Sequence, residues 1–483
     1  MGNNDIGITV KKEDNFTEWF TQLIQKAELA SYSAVSGCVV YRPTAYAIWE
    51  KIKEVTDVKF KKIGLKNAYF PLLIPERLLT KEKEHVEGFA PEVAWVTHSG
   101  NTKLNERLAI RPTSEAIMYD SYSQWIRSWR DLPLLINQWN NVIRWEFNNP
   151  VPFFRAREFL WNEAHTVFSS EKEAIEHGEN VMKVYNEVTE NYMAIPGIYG
   201  EKSKKEKFAG AVFTKKVHSY LANGKVIEGT CFHYDGQNFA KAYDIKFKNN
   251  NGEDEYAFQN THAISIRMLG AMLAMHSDNK GVIIPPKMAP NKVVIIPLIF
   301  KDSKDEIISK SKEIFNNLDK KKEYDILFDD RDFLSNGRKF SEWELKGIPI
   351  RLEIGPKDLE NNEVTMAVRT KEDKIKVKVK ELEKIIDKEL DEMQKYLYDN
   401  ALNLLNNNMS KTDNKKELLE MIENKKMVKI PMCDCSECEE KLKAETKGAK
   451  TLFIDHENES SKNKKCVFCN KDAKYWIYVG KTY

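Results

Sequence analysis

Three short stretches set arginine and carboxylate side chains beside apolar, strand-forming residues. They are Arg111-Pro-Thr-Ser-Glu115, Arg144-Trp-Glu146 with Phe153-Phe-Arg-Ala-Arg-Glu158, and Gly236-Gln-Asn-Phe239 running on to Arg267. Arg144, Arg155 and Arg267 offer planar, permanently charged forks suited to the oxygens of a triphosphate. Thr113 and Glu115 would point to the same side of an extended segment and could receive an amine. Singly, each such pair reads as a strand-end salt bridge worth little. Together they are equipment for aligning a nucleotide with an amino acid.

A second group of reactive residues lies near the C-terminus. Cys38 and Cys231 are isolated, whereas five cysteines fall between Cys433 and Cys469. Without a secretion signal, such a cluster favours metal over disulfides. Four thiolates make a closed tetrahedral zinc site. Cys466-x2-Cys469 supplies one pair; Cys433-x4-Cys438 and the commoner spacing Cys435-x2-Cys438 compete for the other.

These residues must be positioned by a chain of 483 residues, too long for one core and consistent with about three domains. A hydrophobic content of 42% with 31% charged residues describes a globular protein, not a disordered one. No run approaches the roughly 20 apolar residues that span a bilayer. Met1–Asp5 carries no signal pattern, and Ile6 stands where a myristoylation site expects Ser or Thr. A net charge of +2 leaves any nucleic-acid contact to local basic patches.

The segment Thr17–Glu54 reads as two helices with a turn near Ser36-Gly37. Asn67–Pro75 reads as a short apolar strand closed by proline. Residues 105–170 alternate strand-like runs with charges, 171–193 has helical periodicity, and 208–247 reads as antiparallel strands turning at Asn223-Gly224 and Asp235-Gly236. Thr261–His276 is helical in pattern, and Pro285-Pro286 with Pro290 marks a domain boundary. Beyond it, strands at Lys292–Phe300, Ile326–Phe328, Gly347–Ile354 and Thr365–Arg369 alternate with helices, which suggests a mixed α/β domain.

In order and wording the three stretches resemble the prolyl-tRNA synthetases, which are class II aminoacyl-tRNA synthetases. The resemblance is to the form without an inserted editing domain, typical of archaea and the eukaryotic cytosol, and runs from about Asn15 to Tyr483. It implies an α+β multidomain chain. An antiparallel class II sheet flanked by helices would occupy 1–285, a mixed α/β anticodon-binding domain 286–400, and a small α/β zinc-binding domain 401–483.

The resemblance also distributes roles. Arg144 becomes the motif 2 arginine on the α-phosphate and substrate carboxylate, and Arg267 the motif 3 arginine on the γ-phosphate; both are catalytic. Glu146, Arg155, Ala156, Glu228, Cys231 and Ser265 complete the ATP site. Thr113 and Glu115 receive the two N–H groups of proline's secondary ammonium. Phe159, Trp161 and His165 wall its ring, and His233 faces it. Phe89 and Glu92 lie on a segment that closes over the pocket. Glu344 and Arg369 reach anticodon bases, as Arg331, Arg338 and Arg351 could. The family's spacing selects Cys433, Cys438, Cys466 and Cys469 as zinc ligands and leaves Cys435 free.

Implied with them are ATP with Mg2+, L-proline and tRNA-Pro as substrates. A homodimer joined through the 67–75 segment, a cytoplasmic location and no membrane partner follow in the same way.

Two places depart from the family pattern. After Ile227 it expects glutamine, small residues, threonine and then histidine, where this chain reads Glu228-Gly-Thr-Cys-Phe-His233. Glu228 could hold magnesium through its full charge, whereas Cys231 lacks a strong hydroxyl donor. Motif 3 expects tryptophan and glycine where His262-Ala263 stands.

Activation needs a carboxylate to attack the α-phosphorus of ATP. That carboxylate is already ionised at neutral pH, so alignment and charge neutralisation carry the step. A threonyl- or seryl-tRNA synthetase would want a polar or metal site for the side-chain hydroxyl, which the aromatic wall does not provide. A silent RNA-binding paralogue has no need of three phosphate-gripping arginines. A zinc-dependent nucleic-acid module leaves the first 285 residues unexplained. The interval His165–His262 has no room for a large editing domain, so alanine, smaller than proline, should be activated without hydrolysis.

Overall fold

The computed structural model describes residues 7–85, 92–146, 150–299, 304–320, 322–456 and 460–483, the side chains of 81–85 excepted. The long strands Leu134–Ile143 and Glu158–Phe168 form an antiparallel ladder near one end of an eleven-stranded sheet. Phe258–Ser265, Lys225–Gly236, Phe213–Tyr220 and Ile198–Glu201 continue it antiparallel. The register sets His165, Thr261 and His233 side by side across three strands, with Trp161 beside Ser265. Side chains on neighbouring strands in register share a face, so this pairing assembles a floor.

The helix Glu171–Glu187 buries Ala174, Val181, Met182 and Tyr185. Its close approach to the sheet requires Gly178, where a Cβ would meet Phe232 Cζ at 2.2 Å. Helices Phe16–Lys26 and Pro43–Lys62 contribute Trp19, Phe20, Trp49 and Ile52 to the same core.

Residues 293–378 form the expected mixed domain. Its five strands run Leu327–Phe328, Val293–Pro297, Ile350–Ile354, Glu363–Val368 and Ile375–Lys378, parallel at first and then antiparallel. The C-terminal region is α/β as well, but its sheet is not separate. Met409–Lys411, Met427–Met432, Tyr475–Thr482 and Ala449–Asp455 extend the same eleven-stranded sheet, joined where Ile454 pairs with Glu201. Lys481 and Thr482 also pair in parallel with Lys225 and Val226.

Local readings differ from the structure where packing overrides pattern. Thr261–Ser265, expected as the start of a helix, is strand, and the helix runs Arg267–His276. Every residue from Met268 to His276 is buried, so the segment lacks the polar face that separates strand from helix in sequence. The apolar stretch Asn67–Pro75 splits into Lys66–Asn67 and Leu73–Pro75, which pair in different sheets. The turn at Ser36-Gly37 is present, and two short strands, Ala30–Tyr32 and Val39–Tyr41, flank it.

Candidate active site

Helix Glu115–Trp125 begins where the strand Thr102–Ile110 has ended, so Thr113 and Glu115 meet at a helix N-terminus, not along an extended segment. Both are buried, and the Thr113 hydroxyl donates to Glu115 Oε2. Between them Ser114 leaves its own helix uncapped and turns to Glu163, donating through its backbone N–H at 3.0 Å and through its hydroxyl.

Glu163 therefore organises this end of the site. It also accepts from Asn140 Nδ2 at 2.6 Å and faces His165 Nε2 at 3.2 Å. Burial would raise its pKa, but His165, Ser114 and Asn140 outweigh that and hold it low. Burial alone would lower His165, yet Glu163 and Glu115 raise it on balance. The other ring nitrogen of His165 meets Tyr119 Oη at 3.0 Å.

A cavity of about 260 Å3 opens over this floor. Phe159 and Trp161 stand edge to face at 5.7 Å. The Arg144 guanidinium lies 5.5 and 5.2 Å from their ring centres and is steered by Nε donating to the Pro112 carbonyl at 2.9 Å. Arg267 opens its helix and donates from Nε to the Phe154 carbonyl at 3.2 Å. Thr113, Glu115, Arg144, Phe159, Trp161, His165, Glu228, Cys231, His233, Ser265 and Arg267 thus line one cavity. A small apolar wall beside a buried carboxylate and paired arginines can hold a compact ammonium acid against a phosphate ester.

The remaining expected residues stand apart from this lining. Glu146 is exposed in a turn, while Arg155 and buried Ala156 follow Phe154, whose ring stacks on Tyr483 at 4.4 Å. Arg155 lines a smaller neighbouring cavity with Tyr483. Glu92 is exposed, and its carbonyl accepts from the Trp145 N–H at 3.1 Å; Phe89 lies outside the described residues. Burial pushes His233 down to about 3, so its ring is neutral, bonded through Nδ1 to Thr214 Oγ1 at 2.8 Å. The Cys231 thiol donates to the Ala263 carbonyl, at 3.9 Å. His262 stacks on Phe232 at 5.0 Å, its ring nitrogens without a hydrogen-bond partner among the described residues, and burial holds it neutral.

Glu228, expected to hold magnesium, has both oxygens taken by ammonium groups. Lys202 Nζ lies 2.6 Å from Oε1 and Lys216 Nζ 2.6 Å from Oε2. A carboxylate so neutralised is a poor cation ligand, and the expected metal position does not fit.

In the mixed domain Glu344 is partly exposed, 3.8 Å from Lys280. Arg369 is 3% exposed and grips the Asp278 carboxylate with both terminal nitrogens, at 3.0 and 2.6 Å. It is turned into the domain junction. Arg331 is similarly engaged by Asp329, and Arg351 by Glu353.

The Cys433, Cys438, Cys466 and Cys469 sulfurs lie within 4.8 Å of one another. Cys433 Sγ is 3.5 Å from Cys438 Sγ and 3.6 Å from Cys469 Sγ. Tetrahedral zinc with bonds of about 2.3 Å spaces its sulfurs by about 3.8 Å, so this donor set fits. Cys435 points instead at Glu437 Oε2.

Residues 95–276 match the family described as tRNA synthetase class II core domain (G, H, P, S and T), and residues 292–389 the anticodon binding domain. Residues 415–483 match the prolyl-tRNA synthetase C-terminal family. A proline–tRNA ligase of Natranaerobius thermophilus is 42% identical over 479 residues, covering 99% of this chain and 98% of the relative. The chain belongs to the prolyl-tRNA synthetases.

The cytoplasmic proline–tRNA ligase of Arabidopsis thaliana is 41% identical, covering 99% of this chain and 91% of the relative. A solved prolyl-tRNA synthetase from Cryptosporidium parvum, complexed with halofuginone and AMPPNP, is similar at a TM-score of 0.94 and 41% identity. That match covers 99% of this chain and 100% of that one. As a prolyl-tRNA synthetase, the chain attaches proline to tRNA in an ATP-dependent reaction. Sequence reasoning missed Glu163, Lys216 and Phe208 in the cavity lining. Phe208, whose ring lies 4.7 Å from that of His233, comes from an irregular segment with no periodicity to mark it. Glu163 could have been found, because it alternates with Trp161 and His165 along one strand.

Proposed function

We propose that the cavity between Arg144 and Arg267 is where proline and ATP meet, with Thr113 and Glu115 taking the ammonium and Phe159 and Trp161 the ring. One observation carries this reading: a buried acceptor pair, an aromatic wall and two arginines converge on a single cavity. The proline carboxylate attacks the α-phosphorus, pyrophosphate leaves, and a ribose hydroxyl of the tRNA 3′ end then displaces AMP from the adenylate. Arg144 and Arg267 stabilise the charge that builds on phosphate oxygens. His165, held by Glu163, and neutral His233 close the proline side. Glu146, Arg155, Ala156, Cys231 and Ser265 serve the nucleotide, and Phe89 with Glu92 covers it. Magnesium enters with ATP as part of the substrate.

The anticodon-family match and part-exposed Glu344 support reading of tRNA-Pro by the mixed domain. Cys433, Cys438, Cys466 and Cys469 are assigned to structural zinc, which when bound cross-links two loops of the C-terminal sheet. Exposed Tyr69 and Leu73 in the 67–75 segment support a homodimer through that face. The label of the Arabidopsis relative supports a cytoplasmic location. Among the described residues no helix is long and apolar enough to cross a membrane. ATP–pyrophosphate exchange against every amino acid, with Arg144→Ala as control, tests the reading. Exchange strongest with proline and lost in the variant supports it; exchange strongest with threonine or serine overturns it.

A further inference from the structure

We infer that Lys216 takes the place of a divalent cation at Glu228, which makes it a substrate-facing positioning residue for adenylate formation. The inference rests on the reading of the cavity as the ATP site. Lys216 stands opposite Cys231 in the antiparallel ladder, and the register slips between Lys216 and His218, so Glu228 comes to lie opposite His218. The slip lets Lys216 reach back to Glu228 Oε2 at 2.6 Å while its side chain lines the cavity beside Ser265, Arg144 and Arg267.

The two lysines on Glu228 have different jobs. Lys202 is 1% exposed and also donates to the Thr451 carbonyl at 3.2 Å, so it is a fixed strut behind the carboxylate. Lys216 is 23% exposed and faces the cavity. An ammonium has three N–H donors. Among the described residues Glu228 Oε2 is the one acceptor Lys216 has, which leaves the other donors for a ligand.

Charge supports the same arrangement. Burial would raise Glu228, but Lys216 and Lys202 hold it well below the carboxylate range. Burial lowers both lysines; Glu228 outweighs that at Lys216, which ends raised, but not at the more enclosed Lys202, which ends lowered. A divalent ion bound to either carboxylate oxygen would sit within a few ångströms of an ammonium, where like charges repel strongly. An anionic phosphate or ribose oxygen at the same place finds a fixed cation instead.

The test uses the whole chain. At saturating proline and fixed MgATP, adenylate formation is followed while free Mg2+ is raised above that complexed with ATP. The expected result is a rate flat to within about twofold, whereas Lys216→Met acquires dependence on free Mg2+. Lys216→Met should also raise the KM for ATP about tenfold without changing the KM for proline, and Lys216→Arg should restore most of it. Calorimetry with AMPPNP in EDTA provides a readout apart from turnover: the wild-type chain binds, and Lys216→Met binds about tenfold more weakly. A wild-type rate that rises steeply with free Mg2+ overturns the inference, even if no variant folds. So does Lys216→Met with an unchanged KM for ATP. Absence of proline-dependent adenylate at any Mg2+ concentration would instead sink the reading of the site itself.

Discussion

Arg369 of the mixed domain holds Asp278, just past the last helix of the catalytic region, with both terminal guanidinium nitrogens. Its Nε also donates to the carbonyls of Val282 and Glu344, each at 3.1 Å. The fork joins three chain segments at a domain junction. Arg369→Ala would leave the Glu344 carbonyl to the Gly347 N–H and strip the Val282 carbonyl of its donor, a loss worth roughly 1–3 kcal/mol when buried. The expected outcome is a lower melting temperature with pyrophosphate exchange retained. A variant with unchanged stability but selectively weakened tRNA binding would return Arg369 to the anticodon.

Arg144→Ala and Arg267→Ala should each slow pyrophosphate exchange by about 10²–10³, equivalent to roughly 2.7–4 kcal/mol of transition-state stabilisation. Circular dichroism should show the fold retained. Loss of rate confined to the KM for proline in Arg267→Ala would place that arginine elsewhere.

Zinc should be present near one equivalent by elemental analysis of carefully prepared protein. Cys466→Ser should lose it and melt earlier, because Cys466 is buried in the C-terminal core. Cys435→Ser should keep it, since that sulfur faces Glu437. Less than about a tenth of an equivalent in the wild-type chain would exclude the site.

Asp235 is fully buried, one oxygen accepting from Thr261 Oγ1 at 2.6 Å and the other without a partner among the described residues. Burial pushes its pKa up to about 8, against about 3.9 in the unfolded chain. The folded state therefore binds more protons between those values, and its stability falls as pH rises through that window. Asp235→Asn should remove the dependence, so urea titrations should find it gaining on the wild type from pH 5 to 8. Parallel pH profiles would show that Asp235 is not protonated in the fold.

Alanine should be activated and transferred to tRNA-Pro without subsequent hydrolysis, because discrimination by one or two methylenes is worth only about 1–3 kcal/mol. Residues 171–256 are occupied by two helices, a π turn, three strands of the sheet itself and a two-stranded hairpin, with no added domain. Rapid hydrolysis of alanyl-tRNA by the purified chain would contradict this.

The order of the motifs, the cysteine spacing and the mixed α/β pattern were legible in sequence because each is local. Arg144 and Arg267 announce themselves by type, and Trp161, Glu163 and His165 by alternation. The start of the last catalytic helix was not legible, since a segment buried on all sides has no periodicity. That the C-terminal strands join the catalytic sheet was not legible for a related reason: strand pairing between Ile454 and Glu201 leaves no mark on either segment.

The sequence by itself determined the chemistry on offer: three permanently charged forks, a threonine–glutamate pair, an aromatic wall and a thiolate cluster. Only the tertiary structure decided how those charges are spent. Glu228 looked like a metal ligand until Lys202 and Lys216 met it, and Arg369 looked like a base reader until Asp278, 91 residues away, claimed it. A charge is defined by its type, but its role is set by the nearest opposite charge. Folding, not spacing, brings that partner within 3 Å.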